Sequence, residues 1–294
     1  MPAMIDLGWG EPRTWVLFDT TRRHLREPGA PRPVRLYEWE PLGVQTADPA
    51  PVVLVSHGTG GSGSGMGWLA GPLAAAGFRA VAVDHHGNDF VDGYEPEGFL
   101  CPWERPRDLA FALDALAAER ELGPIGAAGF SAGGYTAAAL AGARLDTGVL
   151  HALLTGAVPL PEIPEFPGVL DAFRAKAPKG MPPAAVAAAG ADLGDPRVRA
   201  VFQVAPGLGP MVTAESLAAV RVPVEIRWGG ADSVTPYESD TRPYLEGIPT
   251  AAGRPLGADV VHADFIGPDP APRAARARAE AAADAVTFFR SHLG

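Results

Sequence analysis

A serine hydroxyl becomes a nucleophile only when a neighbouring base takes its proton, and a histidine serves as that base only when a carboxylate fixes its tautomer. Residues of these three types stand at suggestive places in this chain. Ser131 lies in Gly129-Phe-Ser-Ala-Gly133, a Gly-x-Ser-x-Gly spacing that closes the short apolar run from Ile125. In such an elbow a strand reverses into a helix so sharply that the serine is held in a strained backbone conformation, and only glycine fits at the flanking positions. Asp232 closes the run Trp228-Gly-Gly-Ala-Asp232, and His262 follows a short apolar stretch, so the order along the chain is nucleophile, acid, histidine. That is the order this kind of elbow requires. The spacing alone is weak evidence in a chain with 36 glycines. Gly60-Gly-Ser62-Gly-Ser64-Gly65 has similar spacings, so context must select between them. Asp264 is a second candidate acid, but a carboxylate two residues from His262 would rarely meet the same ring edge, and Asp232 is preferred.

The elements that must position these residues follow from hydrophobic patterning. Thr14–Asp19 and Val34–Trp39 alternate apolar with polar residues and read as an antiparallel pair. Pro51–Ser56 is a continuous apolar run of the kind buried on both faces of a parallel sheet, and it ends in His57-Gly-Thr-Gly-Gly. A helix is expected from about Met66 to Ala76, a strand over Phe78–Asp84, an amphipathic helix from about Trp103 to Leu122, and a strand over Ile125–Gly129. Further strands are expected over Val198–Val204, Val222–Trp228 and about Ala258–Val261, with a closing helix from about Pro272 to His292. Alternating strands and helices predict an α/β fold with a doubly wound, mostly parallel sheet, in which functional groups gather at the carboxyl ends of the strands. His57, Asp84 and Ser131 all fall at such ends. Between about Arg144 and Pro196 the alternation stops in a proline- and alanine-rich stretch, which we read as a cap or lid inserted into a single domain spanning residues 1–294.

Composition narrows the function classes. With 294 residues and 47% apolar residues the chain can bury a large core. A formal charge of -10 without a basic cluster argues against nucleic acid or an anionic membrane as the main partner. The alanine-rich window Ala184–Ala191 is soon interrupted by Asp192 and Asp195, well short of the roughly 20 apolar residues a membrane span needs. The first residues, Met1 to Trp9, show neither a basic start nor an apolar run, so a cytoplasmic location is expected. The only cysteine, Cys101, leaves no intrachain disulfide and no thiolate metal cage. His85 and His86 lack a third ligand, so no metal is assigned.

On these motifs the chain resembles the α/β-hydrolase superfamily, from the early antiparallel strands to the last helix. His57-Gly58-Thr59-Gly60, Asp84-His85-His86, Gly129-Phe-Ser-Ala-Gly133 and Trp228-Gly-Gly-Ala-Asp232 look most like dienelactone-hydrolase-like and platelet-activating-factor-acetylhydrolase-like esterases. Dienelactone hydrolases proper place a cysteine at the position of Ser131, and the residue before it is often polar where this chain has Phe130. The resemblance implies an N-terminal antiparallel strand pair on an α/β-hydrolase sheet, a serine esterase acting on a small-molecule ester without a cofactor, and a Ser131, Asp232, His262 triad. It also implies an oxyanion hole formed by the backbone N–H groups of Thr59 and Ala132, the latter at a helix start whose dipole favours negative charge. His85 is expected to contact a substrate oxygen, and Trp68, Trp103 and Phe130 to line the acyl pocket.

Other readings of the same residues remain. Gly58-x-Gly60-x-x-Gly63 after a strand, with Asp84 about twenty residues on for a ribose, also fits a dinucleotide-binding fingerprint and would make the chain an NAD(P)-dependent oxidoreductase. Against it, two strands precede the fingerprint and the elbow is left unexplained. An acyltransferase or amidase would use the same hydrolase machinery, and a non-catalytic binding protein would use the fold without it.

Overall fold

A computed structural model describes residues 10–42 and 49–294; the N-terminal stretch read above for an export signal lies outside them. Eight strands form one sheet: β1 (Arg13–Arg23), β2 (Pro31–Trp39), β3 (Val52–Ser56), β4 (Arg79–Val83), β5 (Ile125–Phe130), β6 (Val198–Val204), β7 (Val224–Trp228) and β8 (Ala251–Pro255). Their spatial order is β1-β2-β4-β3-β5-β6-β7-β8. The β1–β2 and β2–β4 pairs are antiparallel and every other pair is parallel, which gives the expected mostly parallel sheet with an antiparallel pair at one edge.

Burial on both faces explains the apolar runs. In β3, Val53 and Val55 face one layer while Val52 and Leu54 face the other, as a strand's two-residue period requires. The first layer is α1 (Gly67–Ala75), supplying Leu69, Ala70 and Leu73, together with the long closing helix, which contributes Ala281, Ala285 and Phe289. The second layer holds Leu109, Leu113 and Leu116 of the helix Glu104–Glu119, and Ala137, Ala138 and Leu140 of the helix that follows Ser131. In chain order the remaining helices are α2 (Pro96–Leu100), α3 (Glu104–Glu119), α4 (Ala132–Leu140), α5 (Thr147–Thr155), α6 (Val169–Lys176), α7 (Pro183–Ala189), α8 (Ala214–Ala219), α9 (Arg242–Gly247) and α10 (Pro272–Leu293). Among the described residues no helix is long and apolar enough to cross a membrane.

The last strand differs from expectation. Ala258–Val261 forms no strand; the eighth strand is Ala251–Pro255, paired in parallel with β7. Val260 is fully buried, which accounts for the apolar signal, but it packs as part of a loop. The true strand is a mostly exposed edge held by backbone pairing, so Ala251-Ala-Gly-Arg-Pro255 carries no apolar alternation.

The stretch between α4 and β6 is neither unstructured nor a continuation of the sheet. Its prolines divide it into the short helices α5, α6 and α7. Val169 and Phe173 of α6 pack on Phe99 and Leu100 of α2, and Phe166 meets the Phe99 ring edge-on with centroids 5.3 Å apart.

Candidate active site

The nucleophile elbow is built by close backbone approach. Ser131 links β5 to α4 with φ 55° and ψ -123°, a conformation rare for a residue with a side chain. A Cβ on Gly129 would run into the carbonyl of Gly133, and one on Gly133 into the carbonyl of Ser56, so both flanking positions exclude every larger residue. Strain of this kind costs about 1–3 kcal/mol and persists only where the surroundings enforce it. Here Ser131 donates its N–H to Val204 and accepts from the N–H groups of Gly134 and Gly207.

Three side chains converge at the elbow. Ser131 Oγ lies 3.0 Å from His262 Nε2, and His262 Nδ1 lies 2.8 Å from Asp232 Oδ2. Only a histidine protonated on Nδ1 satisfies both contacts while leaving Nε2 to accept from the serine. Asp232 is held in turn: its Oδ1 accepts the N–H groups of Val234 and Thr235, each at 2.9 Å. Burial pushes the Asp232 carboxyl up, but its hydrogen bonds to His262 and Thr235 outweigh this and hold it below its ordinary value. Asp264 faces elsewhere. Arg273 donates to both its oxygens, at 2.7 and 3.0 Å, and Val261 donates its N–H at 2.9 Å, so this carboxylate caps the short 3-10 turn that carries His262.

The loop after β3 adjoins the serine. A Cβ on Gly58 would lie 3.2 Å from Ser131 Cβ, which places the loop after β3 directly against the elbow. Among the described residues no acceptor takes the N–H of Thr59 or of Ala132. The loop itself is clamped. Gly60 donates its N–H to Asn88 Oδ1 at 2.7 Å, Tyr94 donates its hydroxyl to the Gly60 carbonyl at 2.9 Å, and the buried Arg105 guanidinium donates to the His57 carbonyl and to Asn88.

Several expected contacts are corrected. His85 does not reach the space beside Ser131: it is buried, its Nδ1 donates to Asp108 Oδ2 at 3.0 Å, and its Nε2 accepts from Ser56 Oγ at 2.8 Å. Burial, reinforced by the nearby Arg105 charge, lowers its pKa to about 3, so it is a neutral spacer in the core. Phe130 is buried beneath the histidine, its ring 4.7 Å from that of His262, and Phe265 carries the stack onward to Trp68 at 5.6 Å. Trp103 is buried among Tyr135, Ala139 and Leu150. Asp84 is fully engaged by Ser62 Oγ, Gly63 N–H and the Tyr37 hydroxyl, leaving no oxygen for a ribose.

The sequence reading missed the partners that arrive from a distance. Thr235 places its hydroxyl 3.0 Å from Asp232 Oδ2 and 3.2 Å from His262 Nδ1. Its spacing was a usable signal, because an aspartate readily accepts the N–H groups two and three residues on. Asn88 and Arg105 gave no local signal.

Asp89, next to the clamp, offers a measurable pH effect. It is buried, one oxygen accepts from Val91 and Asp92 while the other has no partner, and burial raises its pKa to about 7. A carboxyl whose folded pKa exceeds its ordinary value of 3.8 binds more protons folded than unfolded, so it destabilises the protein as pH rises from about 4 to 7 and by a constant amount above. Asp89→Asn should therefore melt close to wild type at pH 4 and several degrees above it at pH 8, as read by thermal unfolding.

The strand order with a serine elbow at the end of the central strand defines an α/β-hydrolase fold. Solved structures agree. Over 96% of this chain and 94% of its own, a PEG-bound novel cold-adapted esterase from an Arctic intertidal metagenomic library matches with a TM-score of 0.56 and 17% identity. A puromycin-hydrolyzing peptidase of Mycobacterium tuberculosis matches over 96% of this chain and 39% of its own, with a TM-score of 0.61 and 14% identity. Such identities establish a common fold. No protein-family model and no curated protein matches this sequence.

Proposed function

We propose that the protein is a serine hydrolase that cleaves a carboxylic ester, lactone or thioester through an acyl-enzyme on Ser131. The observation that carries this reading is the hydrogen-bonded chain Ser131–His262–Asp232 at a strained elbow. His262 Nε2 takes the Ser131 proton as Oγ attacks the carbonyl carbon. The negative charge that develops on the carbonyl oxygen rests on the N–H groups of Thr59 and Ala132, the latter at the positive end of α4. His262 then gives its proton to the leaving alcohol or thiol. In the second half it takes a proton from water, whose oxygen attacks the acyl-enzyme and releases Ser131 and the acid. Asp232 holds the Nδ1–H tautomer throughout.

The test is fluorophosphonate labelling with the modified peptide identified by mass spectrometry, beside a panel of esters, thioesters and anilides with and without an acceptor alcohol. Labelling at Ser131 with ester turnover is expected. Absence of both, or saturable binding of reduced nicotinamide cofactor without labelling, would refute the reading. Turnover of anilides above esters would move it to an amidase, and product transfer to the added alcohol would move it to an acyltransferase.

We further propose that residues 144–196 act as a cap within the single hydrolase domain. Glu165 supports this: its Cγ occupies the space that a Cβ on Gly60 would need, so the segment rests on the proposed oxyanion loop. Phe166 stacks near Tyr94, the residue that fixes the Gly60 carbonyl, with centroids 6.5 Å apart. A cap there shapes the room for acyl and alcohol groups and adds little to activating the serine. Shortening Glu162–Pro183 should change the ester-panel profile while fluorophosphonate reactivity changes less than about tenfold. An unchanged profile in a folded variant would leave the pocket to the loops after His57 and Asp84.

A further inference from the structure

The peptide plane that carries the Thr59 N–H lies between two others, and both are anchored on one buried side chain. Arg105, 2% exposed in the first turn of α3, donates Nη2 to the His57 carbonyl, which belongs to the plane before it. Its Nη1 donates to Asn88 Oδ1 at 3.1 Å, and that same oxygen accepts at 2.7 Å the Gly60 N–H, which belongs to the plane after it. A peptide unit is planar, so fixing one polar atom of each neighbouring unit leaves the Gly58–Thr59 unit little freedom to turn. Its own carbonyl is also held. Gly58 O accepts from His57 Nδ1 at 2.6 Å and from the Gly61 N–H at 3.2 Å, and in a trans peptide the Thr59 N–H then points the opposite way.

The amide of Asn88 has a defined orientation. A guanidinium and a backbone N–H only donate, so Oδ1 must face both, while Nδ2 donates to the Gly98 carbonyl at 3.1 Å. Asn88 is itself buried, and it pairs across a two-residue antiparallel ribbon with Tyr94, whose hydroxyl holds the Gly60 carbonyl. Removing Oδ1 would therefore leave two buried donors without an acceptor.

The third arm of Arg105 reaches the other side of the proposed oxyanion hole. Nε donates to Thr136 Oγ1 at 3.1 Å, and the Thr136 hydroxyl donates at 3.0 Å to the carbonyl of Ala132, the first residue of α4 and the source of the second proposed donor. One guanidinium thus ties together the loop after β3 and the first turn of α4, the two elements whose N–H groups must meet on one oxygen. Burial lowers its pKa only to about 9, so it keeps its charge and all its donors near neutral pH.

We propose, on the basis of the serine-hydrolase reading above, that Arg105 and Asn88 are positioning residues that set the spacing between the Thr59 and Ala132 N–H groups, so that both face the oxygen that gains charge in the transition state.

The experiment compares kcat/KM for the best ester of the panel with that for its thiono analogue, in which sulfur replaces the carbonyl oxygen, in wild type, Asn88→Ala and Thr136→Val. The sulfur of the tetrahedral adduct accepts N–H groups poorly and lies farther from carbon, so only the oxygen ester draws fully on the two donors. Asn88→Ala is expected to lower kcat for the oxygen ester by on the order of 10- to 100-fold, with KM within about threefold of wild type. The thiono ester should lose far less, so that the oxygen-to-sulfur ratio falls by about fivefold or more. Thr136→Val is nearly isosteric and cuts the arm to α4; it should lower the ratio by about twofold or more, and it carries the test should Asn88→Ala fail to keep the wild-type circular dichroism spectrum. A general structural defect would lower both rates together. A ratio unchanged in every variant that folds would overturn the inference and leave the triad reading standing. A wild type that neither takes up fluorophosphonate nor turns over any ester would end the hydrolase reading and this inference with it.

Discussion

Ser131→Ala is expected to reduce kcat for the best ester of the panel by on the order of 10⁴- to 10⁶-fold and to abolish fluorophosphonate labelling, with little change in KM. The size follows from the geometry: His262 Nε2, 3.0 Å from Oγ, has no proton to take once the hydroxyl is gone, and no acyl-enzyme forms. What remains is whatever rate the Thr59 and Ala132 N–H groups and substrate binding confer on attack by water. The variant should fold, because alanine keeps the Cβ that the elbow already accommodates and removes only an oxygen. The strain at φ 55° is unchanged by it. Near-normal turnover in a preparation free of contaminating esterase would end the acyl-enzyme reading.

That the serine stood out in the sequence has a physical reason, and so does the failure to read its surroundings. The elbow marks itself in the sequence: Gly129 is required by the backbone of Gly133 within the turn and Gly133 by the carbonyls of Ser56 and His57 at the end of β3, and both requirements fall on letters two away from the serine. Strands β3 and β6 were legible for a similar reason, since burial on both faces leaves little but apolar residues over Val52–Ser56 and through most of Val198–Val204. Where an element is held by backbone pairing at an edge, as β8 is, composition carries no such imprint. The clamp on the loop after β3 is equally silent, because Asn88 and Arg105 reach Gly60 and His57 across 28 and 48 residues. His85 was misread because a strand end marks only proximity to the site. Its ring turns inward to Asp108 and Ser56, a direction that depends on α3 supplying the carboxylate.

The two acids near His262 give the sharpest comparison. Asp232→Asn should lower kcat by about 10⁴-fold, because an amide in place of Oδ2 can donate to Nδ1, favour the tautomer protonated on Nε2, and leave no lone pair to receive the serine proton. The Val234 and Thr235 N–H groups that hold Oδ1 would hold an asparagine oxygen as well, so the loop should stay in place and the loss should fall on kcat. Stability should respond to pH in a defined direction. The folded Asp232 pKa is lowered, so its contribution is complete above the ordinary carboxylate value and lost as pH falls through the lowered one. The gap in Tm between wild type and Asp232→Asn should therefore be constant near neutrality and narrow below about pH 4. Asp264→Asn should do the reverse: a lower Tm, because the Arg273 pairing that caps the turn is weakened, with kcat within about tenfold of wild type, since no atom of Asp264 touches the His262 ring. An inverted order of severity in kcat would transfer the orienting role to Asp264 and require His262 to turn its Nδ1 away from the 2.8 Å contact with Asp232.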